Sequence, residues 1–170
     1  MSMLDRAKKL QPEMSRLRRD IHAHPELAFQ EVQTAQLVAD TLREIGGIDV
    51  RTNVGITGVV GSIGTGDGPT IGIRADMDAL PILENSGVDF SSQTAGTMHA
   101  CGHDGHTAIL MTVAEILTGM KKDLKGTVKF IFQPAEEGPP EGETGGGEQM
   151  VKEGVMDNPA VSAIFGLHLQ

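Results

Sequence analysis

The chain has 170 residues, of which 39% are apolar and 22% charged, and carries a net charge of −9 at neutral pH. That length suits one domain with its own core, and the composition excludes wholesale disorder. The negative balance argues against a nucleic-acid partner, which demands a basic surface to displace counterions. The chain has no Trp or Tyr and only five Phe, so the core is expected to be built mainly from Ile, Leu, Val, Met and Ala. A single Cys cannot form an internal disulfide, which fits a reducing compartment. The first twenty residues lack the apolar core of a signal peptide, and no run approaches the ~20 apolar residues of a membrane span. A cytoplasmic protein without a membrane partner is expected.

Met14, Leu17 and Ile21 recur at helical spacing and predict an amphipathic helix over 13–23, interrupted at His24-Pro25. A second helix is predicted over 31–45, with Val32, Ala35, Val38, Ala39 and Leu42 on one side and Gly46-Gly47 as its stop. Strands are predicted over 48–51, 58–63, 70–75, 126–133 and 161–169, and a further helix over 107–120. Residues 138–147 read as a Gly/Pro/Glu loop. Strands separated by helices indicate an α/β domain, with helices packed on a largely parallel or mixed sheet.

The residues with chemical potential gather around the ends of these elements. Asp76 and Asp78 follow the strand at 70–75, Glu136 and Glu137 follow the strand at 126–133, and His168 lies near the end of the last strand. Cys101, His103 and His106 precede the helix predicted over 107–120. In open α/β sheets, sites collect beyond the carboxyl ends of strands. Four segments are therefore expected to deliver acids, a thiol and imidazoles to one rim.

Met98–His106 holds the only Cys and three of the six His within nine residues. A thiolate and an imidazole two residues apart suit zinc or a related ion, although a lone Cys is often just a small buried hydrophobe. Spacing leaves the roles of His99 and His106 open. Glu136 and Glu137 are candidates for a ligand and a general base, against the alternative of a solvated acidic turn. Asp76 and Asp78 are candidates to orient a ligand His through its second nitrogen, or simply close a strand-end turn before Pro81. His22 and His24 are read as structural. A Cys101–His103 nucleophile–base pair is a weak alternative, because residues two apart seldom reach the required geometry.

RADMDALP (74–81), MHACGHDGHTA (98–108), FQPAEEG (132–138) and GLHL (166–169), with the earlier RRDIHAHPELAFQE (18–31), resemble the M20 metallopeptidase family. The similarity is to its amidohydrolase branch, which includes hippurate, N-acyl-amino-acid and auxin-conjugate hydrolases. The resemblance implies a zinc-peptidase-like catalytic domain with two divalent ions, Zn, Mn, Co or Ni. It implies Cys101, His103, Glu137 and His168 as metal ligands, Glu136 as general base toward a water, and Asp78 as the acid orienting His103. The implied reaction is hydrolysis of N-acyl amino acids, a small-molecule substrate class. Relatives in this family are usually more than twice as long, so 1–170 is expected to be an N-terminal part, without the inserted lid or dimerisation domain, the C-terminal part and its further His ligand. A homodimer is expected only of the full-length protein. The further readings that follow are a dipeptidase or carboxypeptidase of the same family, and a catalytically silent metal-binding fragment.

Overall fold

A computed structural model describes residues 2–169. Helix α1 (Met3–Ala23) begins ten residues before the expected start. Its amino end closes with a capping box, in which the Ser2 hydroxyl accepts the Asp5 amide at 3.1 Å and the Asp5 carboxylate accepts the Ser2 amide. The helix runs through Pro12, which lies on its exposed side. Only its second half buries a stripe, through Leu17 and Ile21, which is the part apolar periodicity can see. Helix α2 (Val32–Ile45) buries Val38, Ala39 and Leu42. Its first turn is capped from a distance, because the Glu26 carboxylate accepts the amides of Gln33 and Thr34 at 3.0 and 2.9 Å.

Strands β1 (Asp49–Val54), β2 (Gly58–Gly64), β3 (Thr70–Asp76), β4 (Thr127–Gln133) and β5 (Val161–Gly166) form one sheet in the order β1-β2-β4-β3-β5. The sheet is mixed: β1/β2 and β2/β4 are antiparallel, whereas β3 runs parallel to both β4 and β5. Helix α3 (His103–Thr118) starts four residues earlier than expected, so His103 and His106 lie in its first turn rather than ahead of it. A short helix α4 (Gly146–Lys152) follows the loop, in a Gly-rich stretch where sequence suggested none. The last strand stops at Gly166, and His168 follows it.

Alternation along β4 builds a core on each face of the sheet. Phe130 and Phe132 join Leu17, Val38, Leu42 and Met111 under α1, α2 and α3, while Ile131 joins Val60, Met150 and Val155 on the other face. Burying side chains of this size contributes ~1.5–3 kcal/mol each. On that second face the Lys129 ammonium is buried and donates to the carbonyls of Val155 and Asp157 at 3.0 and 2.6 Å, which satisfies a charge that would otherwise be costly there. Among the described residues, no helix is long and apolar enough to cross a membrane.

Candidate metal centre

The site grows out of the β3/β4 register. Asp76 pairs with Gln133 across the parallel ladder, so the residues that follow the two strands leave at the same rim. The 76–78 segment carries Asp76 and Asp78 there, and the turn after β4 carries Glu136 and Glu137. Helix α3 opens at this rim behind Gly102, whose φ of +83° is the left-handed region that glycine enters without strain. A Cβ on Gly102 would lie 3.2 Å from Cβ of Leu169, and one on Gly105 would collide with the Leu169 side chain. Bare backbone at both positions lets the segment after β5 lie against the start of α3, which carries His168 to Cys101.

The ligand atoms of Cys101, His103 and Glu137 lie within 4.8 Å of one another. His103 Nε2 is 3.6 Å from Glu137 Oε1. His168 reaches this group through Cys101, with Nε2 3.3 Å from Sγ. Glu136 stands beside it, half-exposed, with Oε2 3.8 Å from His103 Nε2 and Oε1 3.6 Å from Arg74 Nη2. A second group, Asp76, His103 and His106, also has ligand-type atoms within 4.8 Å.

Asp78 joins the segments that carry His103 and Glu137. The Nδ1–H of His103 faces the Asp78 carbonyl at 2.9 Å and Oδ1 at 3.2 Å, and Oδ2 accepts the Glu137 amide at 2.9 Å. The first contacts orient the ring and leave His103 Nε2 facing Glu137. That nitrogen is buried and has no hydrogen-bond partner among the described residues.

The electrostatics follow from crowding acids around one imidazole. Burial alone would pull His103 down, but the hydrogen bond to Asp78 and the charges of Asp76, Asp78 and Glu137 outweigh it and raise its pKa. Burial pushes Asp78 up, and the His103 ring with the amides of Glu137 and Glu136 more than reverses that, so its carboxyl stays below the usual range. The Glu137 carboxylate, then burial, then the charges of Glu137, Glu136 and Asp76 push the Cys101 thiol up to about 11. A cluster that raises both a thiol and an imidazole in this way favours added positive charge.

Of the residues whose roles sequence left open, His106 is tied into the rim: its Nδ1 is hydrogen-bonded to Asp76, and Nε2 accepts the Leu169 amide. Asp76 also pairs with Arg74 at 2.7 Å. His99 is buried, and neither ring nitrogen is hydrogen-bonded among the described residues. His22 lies between Asp104 at 2.9 Å and Glu84 at 3.2 Å and belongs to neither ligand group, and His24 sits at the surface beside Asp20. Sequence reading gave no part to Glu31, which is buried and bonded to the turn before Glu136; the motif at 18–31 was the one available signal. A concavity of about 930 Å³ lies between α1, α2 and α3 and is lined by none of these site residues.

A mixed α/β sheet with thiol, imidazole and carboxylate groups converging beyond its parallel strands defines an α/β domain with a candidate metal centre. The profile of Peptidase family M20/M25/M40 matches residues 72–170, and the chain belongs to that family. It is 49% identical over 156 residues to an IAA-amino acid hydrolase (ILR1-like 2) of Arabidopsis thaliana, covering 92% of this chain and 34% of that protein. It is 47% identical over 152 residues to the N-acyl-L-amino acid amidohydrolase of Geobacillus stearothermophilus, covering 89% of this chain and 40% of that protein. Among solved structures, YXEP of Bacillus subtilis, described as a dinuclear metal-binding peptidase of the M20 family, superposes with a TM-score of 0.86 at 45% identity, covering 96% of this chain and 44% of that one. The chain thus spans 34% and 40% of the two curated relatives.

Proposed function

We propose that the chain carries the metal-binding rim of an amidohydrolase that cleaves the amide bond of N-acyl amino acids. The observation that carries this reading is His103 Nε2, buried, without a hydrogen-bond partner among the described residues, and facing a carboxylate and a thiol, with its other nitrogen fixed by Asp78. Donors of S, N and O type in one group fit zinc, manganese, cobalt or nickel. Family membership and the named amidohydrolase relatives support the substrate class.

In this reading Cys101, His103, Glu137 and His168 hold divalent metal. When bound, the dication supplies the charge that keeps the thiol deprotonated, polarises an amide carbonyl and lowers the pKa of water. Asp78 holds His103 in the tautomer that presents Nε2. Glu136 is free of the ligand group and open to solvent on one side, so its carboxylate accepts a proton from the attacking water and returns it to the departing amine. Water oxygen joins the carbonyl carbon, the C–N bond breaks, and a carboxylic acid and an amino acid leave. Arg74, 3.6 Å from Glu136, holds that carboxylate at the mouth of the site. A thiol ligand must stay reduced, which supports a cytoplasmic setting; cell fractionation checks it.

A peptidase acting on free dipeptides is the second reading, supported by the peptidase description of YXEP. Metal analysis and hydrolysis assays on one set of preparations decide. Wild type should hold a transition metal, Cys101→Ala and Glu137→Ala should lose most of it, and Glu136→Gln should keep metal while losing turnover of N-acetyl and N-benzoyl amino acids. Turnover of dipeptides alone selects the second reading. Wild type that holds no metal at saturating zinc or manganese overturns both, and metal without any turnover leaves a silent metal-binding fragment.

A further inference from the structure

Glu31 is a fully buried carboxyl that belongs to neither ligand group. One oxygen, Oε2, accepts the Thr57 hydroxyl at 2.6 Å, and the other, Oε1, accepts the backbone amide of Ala135 at 2.9 Å. Ala135 is itself buried and sits at φ +46°, a left-handed conformation that costs energy for any residue with a Cβ. The next two residues are Glu136 and Glu137. Such a backbone persists only where its surroundings over-determine it. Three hydrogen bonds do so here: Ala135 N–H to Glu31, the Gly146 amide to the Ala135 carbonyl at 3.3 Å, and the Glu137 amide to Asp78.

We infer that Glu31 is a positioning residue for the Glu136–Glu137 pair: by gripping the Ala135 amide it sets the turn from which one carboxylate faces Cys101 and His103 and the other faces Arg74. The inference rests on the metal-dependent reading of those two carboxylates. A buried carboxyl is costly unless its oxygens are used. An apolar side chain would fill the same space but leave the Ala135 amide unpaired, and the left-handed turn would lose one of its three restraints. Burial pushes the Glu31 carboxyl above its usual range despite the Thr57 and Ala135 hydrogen bonds. The protonated acid still offers Oε1 as an acceptor, so the grip does not depend on charge. The residue that precedes helix α2 thereby holds the turn carrying the two carboxylates, and RRDIHAHPELAFQE (18–31) gains a role beyond capping.

The test compares wild type with Glu31→Gln, which keeps an acceptor for Ala135, and Glu31→Met, which keeps the bulk but not the acceptor. Amide hydrogen exchange at Ala135 is read by NMR, and cobalt(II) affinity by the thiolate charge-transfer band of folded protein. Wild type and Glu31→Gln should protect the Ala135 amide and bind cobalt alike. Glu31→Met should lose that protection and bind cobalt ~10–100-fold more weakly, the usual effect of losing an outer support of a metal site. A role confined to overall stability predicts no change in affinity for the folded fraction. Unchanged protection or affinity in Glu31→Met, or a Glu31→Gln variant as weak as Glu31→Met, overturns the inference. If Glu31→Met does not fold, wild type still decides: an Ala135 amide that exchanges like an open loop overturns it. Wild type that binds no cobalt while Ala135 is protected rejects the metal reading instead, and the exchange data alone then judge whether Glu31 holds the turn.

Discussion

The backbone amide of Leu169 donates to Nε2 of His106 at 2.8 Å, on the ring edge opposite Asp76. Asp76 as acceptor requires Nδ1–H, which leaves Nε2 free to accept. The segment after β5 is thus fastened to the carboxyl end of β3 through one imidazole, and His168 is fastened with it.

His106→Phe keeps a ring at this place and removes both hydrogen bonds. It should destabilise the chain by ~1–3 kcal/mol, because Asp76 and the Leu169 amide lose a partner. Cobalt affinity should fall ~10-fold as His168 loosens from Cys101. Urea unfolding and cobalt titration on the same variant measure the two effects, and unchanged cobalt binding would show that His168 needs no such anchor.

The Cys101 thiol, pushed up to about 11, should be protonated in the metal-free chain at neutral pH. Iodoacetamide should therefore react slowly at pH 7 and faster as pH climbs toward about 11. Saturating zinc should suppress the reaction throughout and release a proton on binding, seen as a binding enthalpy that depends on the buffer. Rapid alkylation at pH 7 would contradict the crowding of acids around the thiol.

His99 makes an acid-sensitive core. Burial holds its pKa down at about 4, from an ordinary 6.5, and the nearby Asp104 carboxylate only partly offsets this. The unfolded chain takes up the proton first, so stability from this residue is present above pH 6.5 and lost as pH falls toward 4. The loss should approach ~3 kcal/mol. His99→Phe should flatten that stretch of the stability profile measured by denaturant titration, and an equally steep profile in the variant would assign the acid loss to another group.

Among the described residues, strand β5 pairs with β3 on one side only and exposes Ile164 and Phe165. An exposed apolar edge invites pairing with another chain. Concentration-dependent self-association is expected in sedimentation velocity, and Phe165→Lys should reduce it. Equal association of the variant would place the contact elsewhere.

The convergence at the rim was legible because Asp76, Asp78, Glu136 and Glu137 all follow apolar strand-like runs. Strand position, not side-chain detail, brings them together. The first half of α1 was not legible, since residues 3–12 bury almost nothing and contain Pro12; a capping box starts this stretch, and apolar periodicity cannot detect one. Helix α4 escaped because Gly145-Gly146-Gly147 reads as loop, although Met150 anchors it to the second face of the sheet. Glu31 and the Leu169–His106 bond were invisible for a different reason. Their partners are 104 and 63 residues away, and nothing local in the chain announces such a match.

The parallel half of the sheet sets an order of assembly. Thr70 pairs with Thr127 on one side and Val161 on the other, so β3 must wait for two long stretches of chain to return, whereas β1 and β2 meet across a tight turn. Long closures are entropically slow to form. The thiol, imidazoles and carboxylates of the rim come from both sides of those closures. A bound ion would then act as a clasp on the last-formed part of the fold, slowing the departure of β5 while leaving the β1–β2 hairpin as labile as before.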